Sequence, residues 1–226
     1  MSARIAVLLC ALLMAAPAHA ALESISNPEA AAGLKEALAK GSQIAVDALG
    51  RPDGFFGNAK VRIPLPESAQ RVERMMRSFG MGAQADELIL TLNRAAEAAV
   101  PQARTLLLEA VKKMSVQDAK GILTGGPDSA TQYFKRATSE QLRSRFLPIV
   151  RQATAKVKLA DKYNEYAEIG ARFGLIRKED ANLDDYVTRK ALDGLFLMVA
   201  AQEARIRQDP AQAASALLRK VFGALH

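Results

Sequence analysis

Asn93, Arg94 and Glu97 carry the combination of residue types and spacing in this chain best suited to chemistry. Asn93 lies four residues before Glu97 and Arg94 three before it, so on a helix the three side chains come within reach of one another. A carboxylate, a guanidinium and an amide on one face can orient the polar end of a ligand in an apolar pocket. They can equally form a structural network, since a buried charge needs a partner and many buried ion pairs perform no chemistry. Thr131 and Tyr133 add two hydroxyls that either donate to the same pocket or belong to core or surface. The preceding run, Gly125-Gly126-Pro127-Asp128-Ser129, opens a helix whose first amides can hold an anion. It lacks the lysine of a phosphate-binding loop and reads as well as a plain turn with a Ser or Asp cap.

A second group is basic. Arg143, Arg145, Arg151, Lys156 and Lys158 face a single acid, Glu140, between Ser139 and Ala160. This is either a solvated helix side or a contact for an anionic surface such as phospholipid headgroups or cell-wall polymers. Asp184 and Asp185 are two adjacent acids, fewer oxygens than a hard cation requires, and helix capping accounts for them. No metal ligand set and no cofactor is therefore assigned.

No catalytic residue is assigned either. Residues 1–20 follow the pattern of a cleaved export signal: Arg4 near the start, an apolar core from Ile5 to Ala16, and Ala18-His19-Ala20 as the small-residue cleavage site. Cleavage after Ala20 removes Cys10 and His19, the only cysteine and one of two histidines. The mature chain then has no thiol for a disulfide, a nucleophile or a thiolate site. Its one imidazole is His226, at the chain end, where a catalytic base is poorly held. Ser-His-Asp and Cys-His mechanisms find no support. The remaining enzymatic alternative is a carboxylate-only hydrolase pairing Glu97 with Asp118, Asp128 or Asp185 across a cleft.

The elements that must position these residues are helical. Half the residues are hydrophobic, alanine supplies much of that, and there is no Trp, a composition that favours close helix packing over sheet. The centre runs from Ala83 to Met114. Leu88, Leu92, Ala95, Ala99, Ala103, Leu106 and Ala110 form one helical stripe, and Ile89, Ala96, Val100, Leu107 and Val111 form another beside it. Pro101 leaves the carbonyl of Glu97 without its helical partner and predicts a kink beside the polar trio.

Before it, Pro28-Glu29 open a helix to Leu49, with Leu34, Leu38, Ile44, Ala45, Ala48 and Leu49 apolar and Gly33 and Gly41 permitting a close crossing. Residues 50–66 are broken by proline and glycine, with a short extended segment near 59–65 and with Phe55 and Phe56 pointing to opposite sides. Pro66-Glu67-Ser68 start a helix to Phe79 whose apolar side is Val72, Met75, Met76 and Phe79.

After the centre, Ser115 and Asp118 form a capping box. A helix from Pro127 carries Ala130, Tyr133 and Phe134. Thr138-Ser139-Glu140 cap the next, which runs past Glu168 with a second kink at Pro148 and an inner stripe through Leu142, Phe146, Ile149, Ala153, Val157, Ala160 and Ala167. Gly170 to Lys178 is a turn. Asn182 caps a helix to Gln208 with Tyr186, Val187, Ala191, Leu195, Met198, Val199 and Ile206 inward, and Ala211 to Leu225 form a last amphipathic helix. The reading is one all-α domain over residues 21–226, a bundle of about seven to eight helices, two of them kinked at proline.

The motifs together resemble those of an exported bacterial family known as domain of unknown function 4197. They are Gly33-Leu34-Lys35-Glu36-Ala37-Leu38, Ile63-Pro64-Leu65-Pro66, Asn93-Arg94-Ala95-Ala96-Glu97, Thr131-Gln132-Tyr133-Phe134, Phe146-Leu147-Pro148-Ile149, and Tyr186-Val187-Thr188 through Ala191-Leu192-Asp193-Gly194-Leu195-Phe196. The resemblance implies an all-helical exported domain and brings no activity and no catalytic residues.

Export removes nucleic acid from the expected partners, and the mature charge, 30 Lys and Arg against 24 Asp and Glu, favours anionic ones. No later stretch is long and apolar enough for a membrane helix. The function expected is a non-catalytic periplasmic binder of a small or lipid-like ligand, or of an envelope partner, with a structural envelope interaction protein as a further alternative. The sequence sets no oligomeric state.

Overall fold

The computed structural model describes residues 27–174 and 176–208. The export signal over 1–20, with Cys10 and His19, the helix expected over 211–225 and His226 lie outside the described residues. Among the described residues the regular structure is helical throughout: α1 Asn27–Leu49, α2 Glu67–Ser78, α3 Gly82–Ala99, α4 Ala103–Lys113, α5 Val116–Thr124, α6 Ser129–Thr154, α7 Lys158–Arg172 and α8 Leu183–Gln208. Two single 3-10 turns, Val100–Gln102 and Lys178–Asp180, complete an all-α bundle.

The two stripes of the central segment are both buried, from Leu88 to Val111, which makes α3 and α4 the internal layer. At Pro101 the missing amide hydrogen is accommodated by a 3-10 turn, after which Ala103 resumes the α-helix. Around this layer, α6 and α8 form the broadest helix pair, α3 lies against both, and α1 crosses α8, α4 and α5. Phe134, Leu142 and Phe146 of α6 and Leu183, Val187 and Leu195 of α8 are all fully buried. Gly41 of α1 is the close crossing expected there, since a Cβ on it would stand 3.3 Å from Gln202 Cβ of α8.

Local signals set most helix ends. Ser115 Oγ accepts the Asp118 amide at 3.0 Å while the Asp118 carboxylate accepts the Ser115 amide at 3.0 Å. The Ser115 hydroxyl, and after it the Ser115 amide, holds Asp118 below the usual carboxylate range. Asn182 Oδ1 accepts the amides of Asp184 and Asp185 at the start of α8. Gly80, at φ +75°, closes α2 with amide bonds from Gly80 to Arg77 O and from Met81 to Met76 O, a Schellman turn that hands the chain directly to α3.

Three expectations are corrected. Thr138-Ser139-Glu140 cap nothing: α6 is continuous, because the Thr138 and Ser139 hydroxyls donate to Phe134 O and Lys135 O of the preceding turn. Nor does one helix run past Glu168. The chain leaves α6 at Thr154, whose hydroxyl lies 2.5 Å from Asp184 Oδ1, and Val157 adopts an extended conformation before α7 begins. Val157 and Ala160 still face inward across the break, so the apolar stripe showed no interruption.

Third, the apolar side of α2 does not face the core. Ala69 is its buried residue and Met76 is half-buried, whereas Val72, Met75 and Phe79 are exposed, as is Ile44 of α1. Periodicity states which residues share a face and not what covers it. Residues 62–66 are irregular, with no strand among the described residues. Pro148 sits on the exposed side of α6, which stays helical through it.

The loop before α2 is pinned by Phe55, whose buried ring lies on Gly194 of α8; a Cβ there would fall 2.7 Å from Phe55 Cε1. Gly194→Ala should therefore cost about 1–3 kcal/mol through overpacking. Gly121→Ala, in α5 with open space around it, should be neutral or stabilise by up to about 1 kcal/mol. Urea unfolding of the two variants beside the parent checks both signs.

Candidate functional site

Asn93 and Glu97 stand one turn apart on α3, turned toward the 53–63 loop, and both are buried. Asn93 Oδ1 accepts the Ile63 amide at 2.8 Å, and its Nδ2 donates to Ile63 O at 2.9 Å and to Ile89 O at 2.8 Å. The side-chain amide thus pairs with Ile63 as a neighbouring strand would. Glu97 Oε1 accepts the amides of Phe55 and Phe56 at 3.0 and 3.1 Å, and Oε2 accepts Arg94 Nη1 at 2.6 Å. Arg94 Nη2 continues to Asp53 Oδ1 at 2.8 Å, and Asp53 holds the turn at φ +63°. The hydrogen bond that Arg94 donates to Glu97, with a smaller contribution from the one to Asp53, raises the guanidinium above its usual range and keeps it charged.

The trio is therefore assembled, with Asn93 and Glu97 directed at the loop backbone and Arg94 at the Glu97 and Asp53 carboxylates. Beside it, Asp53, Phe56, Gly57, Ala59 and Arg62 line a hollow widely open to solvent, with the Arg62 guanidinium 4.2 Å above the Phe56 ring. A partly open recess of about 10 Å³, room for one water, lies between Leu34, Leu38, Ile122, Ala130, Glu203 and Ile206.

Thr131 and Tyr133 engage other partners. The Thr131 amide and hydroxyl donate to Glu203 Oε2 at 2.9 and 2.8 Å, and the Ala130 amide donates to Oε1 at 3.0 Å. The start of α6 does hold an anion, and that anion is a carboxylate of α8. Arg207, one turn on, donates to Glu203 Oε1 at 2.9 Å and to Ile122 O at 2.9 Å. The Tyr133 hydroxyl donates to Ala110 O at 2.9 Å, and burial raises its pKa.

The five basic residues are all exposed. Arg143 pairs with Asp185 at 3.2 Å and Arg151 with Asp184 at 3.9 Å, so two of the five are shared with α8. Arg145, Lys156 and Lys158 form no ion pair among the described residues. Of the acids named for hydrolysis, Asp118 closes its cap, Asp128 accepts from Gln132 and Asp185 pairs with Arg143. Among the described residues no three His, Cys, Asp or Glu side chains are grouped to hold a metal, and no helix is long and apolar enough to cross a membrane.

Sequence reasoning missed two polar centres. One is Glu203, whose signal was an acid on the inward stripe with Arg207 four residues on. The other is Asp180, buried between Arg177 and Arg189 at 2.5 and 2.9 Å. Near it Tyr163 donates to Asp180 O and bonds Ser68 of α2, while Tyr186 donates to Pro64 O at 3.0 Å. Asp180 lies in a 3-10 turn, where no periodicity marks an inward residue. Burial pushes the Tyr186 phenol up to about 12 and raises Tyr163 as well.

The family model described as protein of unknown function (DUF4197) matches residues 24–223. No curated protein and no solved structure matches the chain.

Two outcomes test this geometry. Glu97→Ala leaves two loop amides and Arg94 without their acceptor, so it should cost about 3–5 kcal/mol in urea unfolding and speed hydrogen exchange at Phe55 and Phe56. Tyr186 has its pKa raised by folding, so the stability it contributes is complete below about pH 10, the unfolded value, and is lost as pH rises toward 12. In an alkaline absorbance titration Tyr186→Phe should remove a late-ionising phenol and flatten the fall in stability between those limits.

Proposed function

We propose that this chain, which belongs to the DUF4197 family, is exported and acts without catalysis as a binding protein that meets an envelope partner through its outer surface. The observation that carries the reading is the strip on α2 and its turn: Val72 and Met75 are 54% exposed, Phe79 76% and Met81 46%. Scattered exposed apolar residues, such as Ile44, Leu90 and Leu197, are ordinary, but several large ones on one helix face mark an interaction surface.

The interior supports the same choice. Asn93, Glu97, Thr131 and Tyr133 already bond protein backbone or Glu203, and the recess between Leu34 and Ile206 admits one water. A second reading keeps Arg94 as the group that orients a small ligand, in the hollow outside the Asp53–Arg94 pair where Arg62 covers Phe56. The carboxylate hydrolase draws less support, because Glu97 is saturated by two amides and an arginine.

Covering each exposed side chain is worth on the order of 1 kcal/mol. Replacing Val72, Met75 and Phe79 together by Gln should thus weaken association roughly a hundredfold and leave thermal unfolding within a few degrees of the parent. The measurement is the share of exported protein that sediments with the host-cell envelope. An unchanged share for the folded triple variant overturns the reading.

A further inference from the structure

We infer that the partner of the α2 strip is the surface of an anionic phospholipid bilayer; this rests on the docking reading above and names its partner. Val72, Met75 and Phe79 follow at steps of three and four, so they form one line along α2, and the Gly80 turn places Met81 at its end. Ala69 is the residue that seats α2, and α3 is its principal neighbour. The helix is thus held on one side and free along the other.

Charge identifies the class of surface. Arg71 and Arg74 are exposed on α2 and form no ion pair among the described residues. The third arginine, Arg77, is occupied by Glu73 and Asp86, and that pairing also takes up the acid in the middle of the helix. Glu67 remains at the far first turn, away from Phe79. The uncommitted charge beside the strip is therefore positive, in a chain of net charge +7. An apolar line bordered along one side by arginines suits a helix that lies in the headgroup boundary, with the apolar residues among acyl chains and the cations on phosphates.

Size and side-chain type favour lipid over protein. A stable protein interface buries about 800 Å² on each side, more than four side chains of one helix supply, whereas a bilayer sets no such minimum. Methionine, with its flexible thioether, adapts to a disordered partner.

The chain has no Trp, so Phe79→Trp creates a single reporter at the strip. The variant, recovered from the exported fraction, is titrated with vesicles of phosphatidylcholine alone and with phosphatidylglycerol mixed in. The expected result is a blue-shifted emission and co-sedimentation with the phosphatidylglycerol vesicles, at least tenfold weaker with phosphatidylcholine and weakened by salt. Adding Val72→Gln and Met75→Gln should abolish both signals, and Arg71→Gln with Arg74→Gln should reduce binding tenfold or more on the anionic vesicles only. Absence of a shift with phosphatidylglycerol, or equal binding by the Gln variant, overturns the inference. If vesicles are ignored while the triple Gln variant still leaves the envelope fraction, the partner is a protein and only the lipid assignment falls. If that variant also stays with the envelope, the docking reading falls too.

Discussion

A carboxylate taken out of water must be compensated on the spot, and this fold compensates three of them in the same way. Glu97, Asp180 and Glu203 are each buried, and each has an arginine within one turn: Arg94, Arg177 and Arg207. The arginine reaches from a more exposed position and neutralises the charge locally. Each carboxylate also binds a group beyond that turn: the Phe55 and Phe56 amides for Glu97, Arg189 for Asp180, and the Ala130 and Thr131 amides of α6 for Glu203. Apolar packing is tolerant of small slips in register, but a buried carboxylate with fixed donors is not, so Glu203 sets α8 against α6, Glu97 sets the 53–63 loop on α3, and Asp180 sets its turn on α8.

The central layer shows why such fixing is useful. Alanine-rich stripes on α3 and α4 allow close approach and offer few large side chains to interlock. Asn93 and Glu97 compensate by tying α3 to the loop that carries Phe55 and Ile63, whose side chains fill space no helix fills. The loop has no strand partner, and the side-chain amide of Asn93 takes that place. Polar residues in the midst of the most apolar segment thus serve its packing.

What could be read from the sequence follows the same division. Most local signals held: the Ser115–Asp118 box, the Asn182 cap, the buried stripes of α3, α4 and α8, and the Arg94–Glu97 pair, while the kink expected at Pro101 coincides with a 3-10 turn. Signals that depend on a distant partner did not. The partner of Asn93 is thirty residues away, that of Glu203 more than seventy, and nothing in their neighbourhood names it. Thr138 and Ser139 looked like a cap because a hydroxyl that bonds its own helix is spelled the same way as one that begins it.

Helix α2 is the case where local and distant readings collide. Its sequence is as amphipathic as that of any buried helix here, yet the face that α3 covers is the one around Ala69. A helix of twelve residues is marginal by itself in water, so α2 is kept helical by its ends: Pro66 before its first turn, the Schellman closure at Gly80, and the Arg77 ties to Glu73 and Asp86. Those restraints fix the helix without using Val72, Met75 or Phe79. A side chain that contributes to neither the core nor the ends of its own helix, and that costs solubility by being apolar, is best explained by something outside the molecule that covers it.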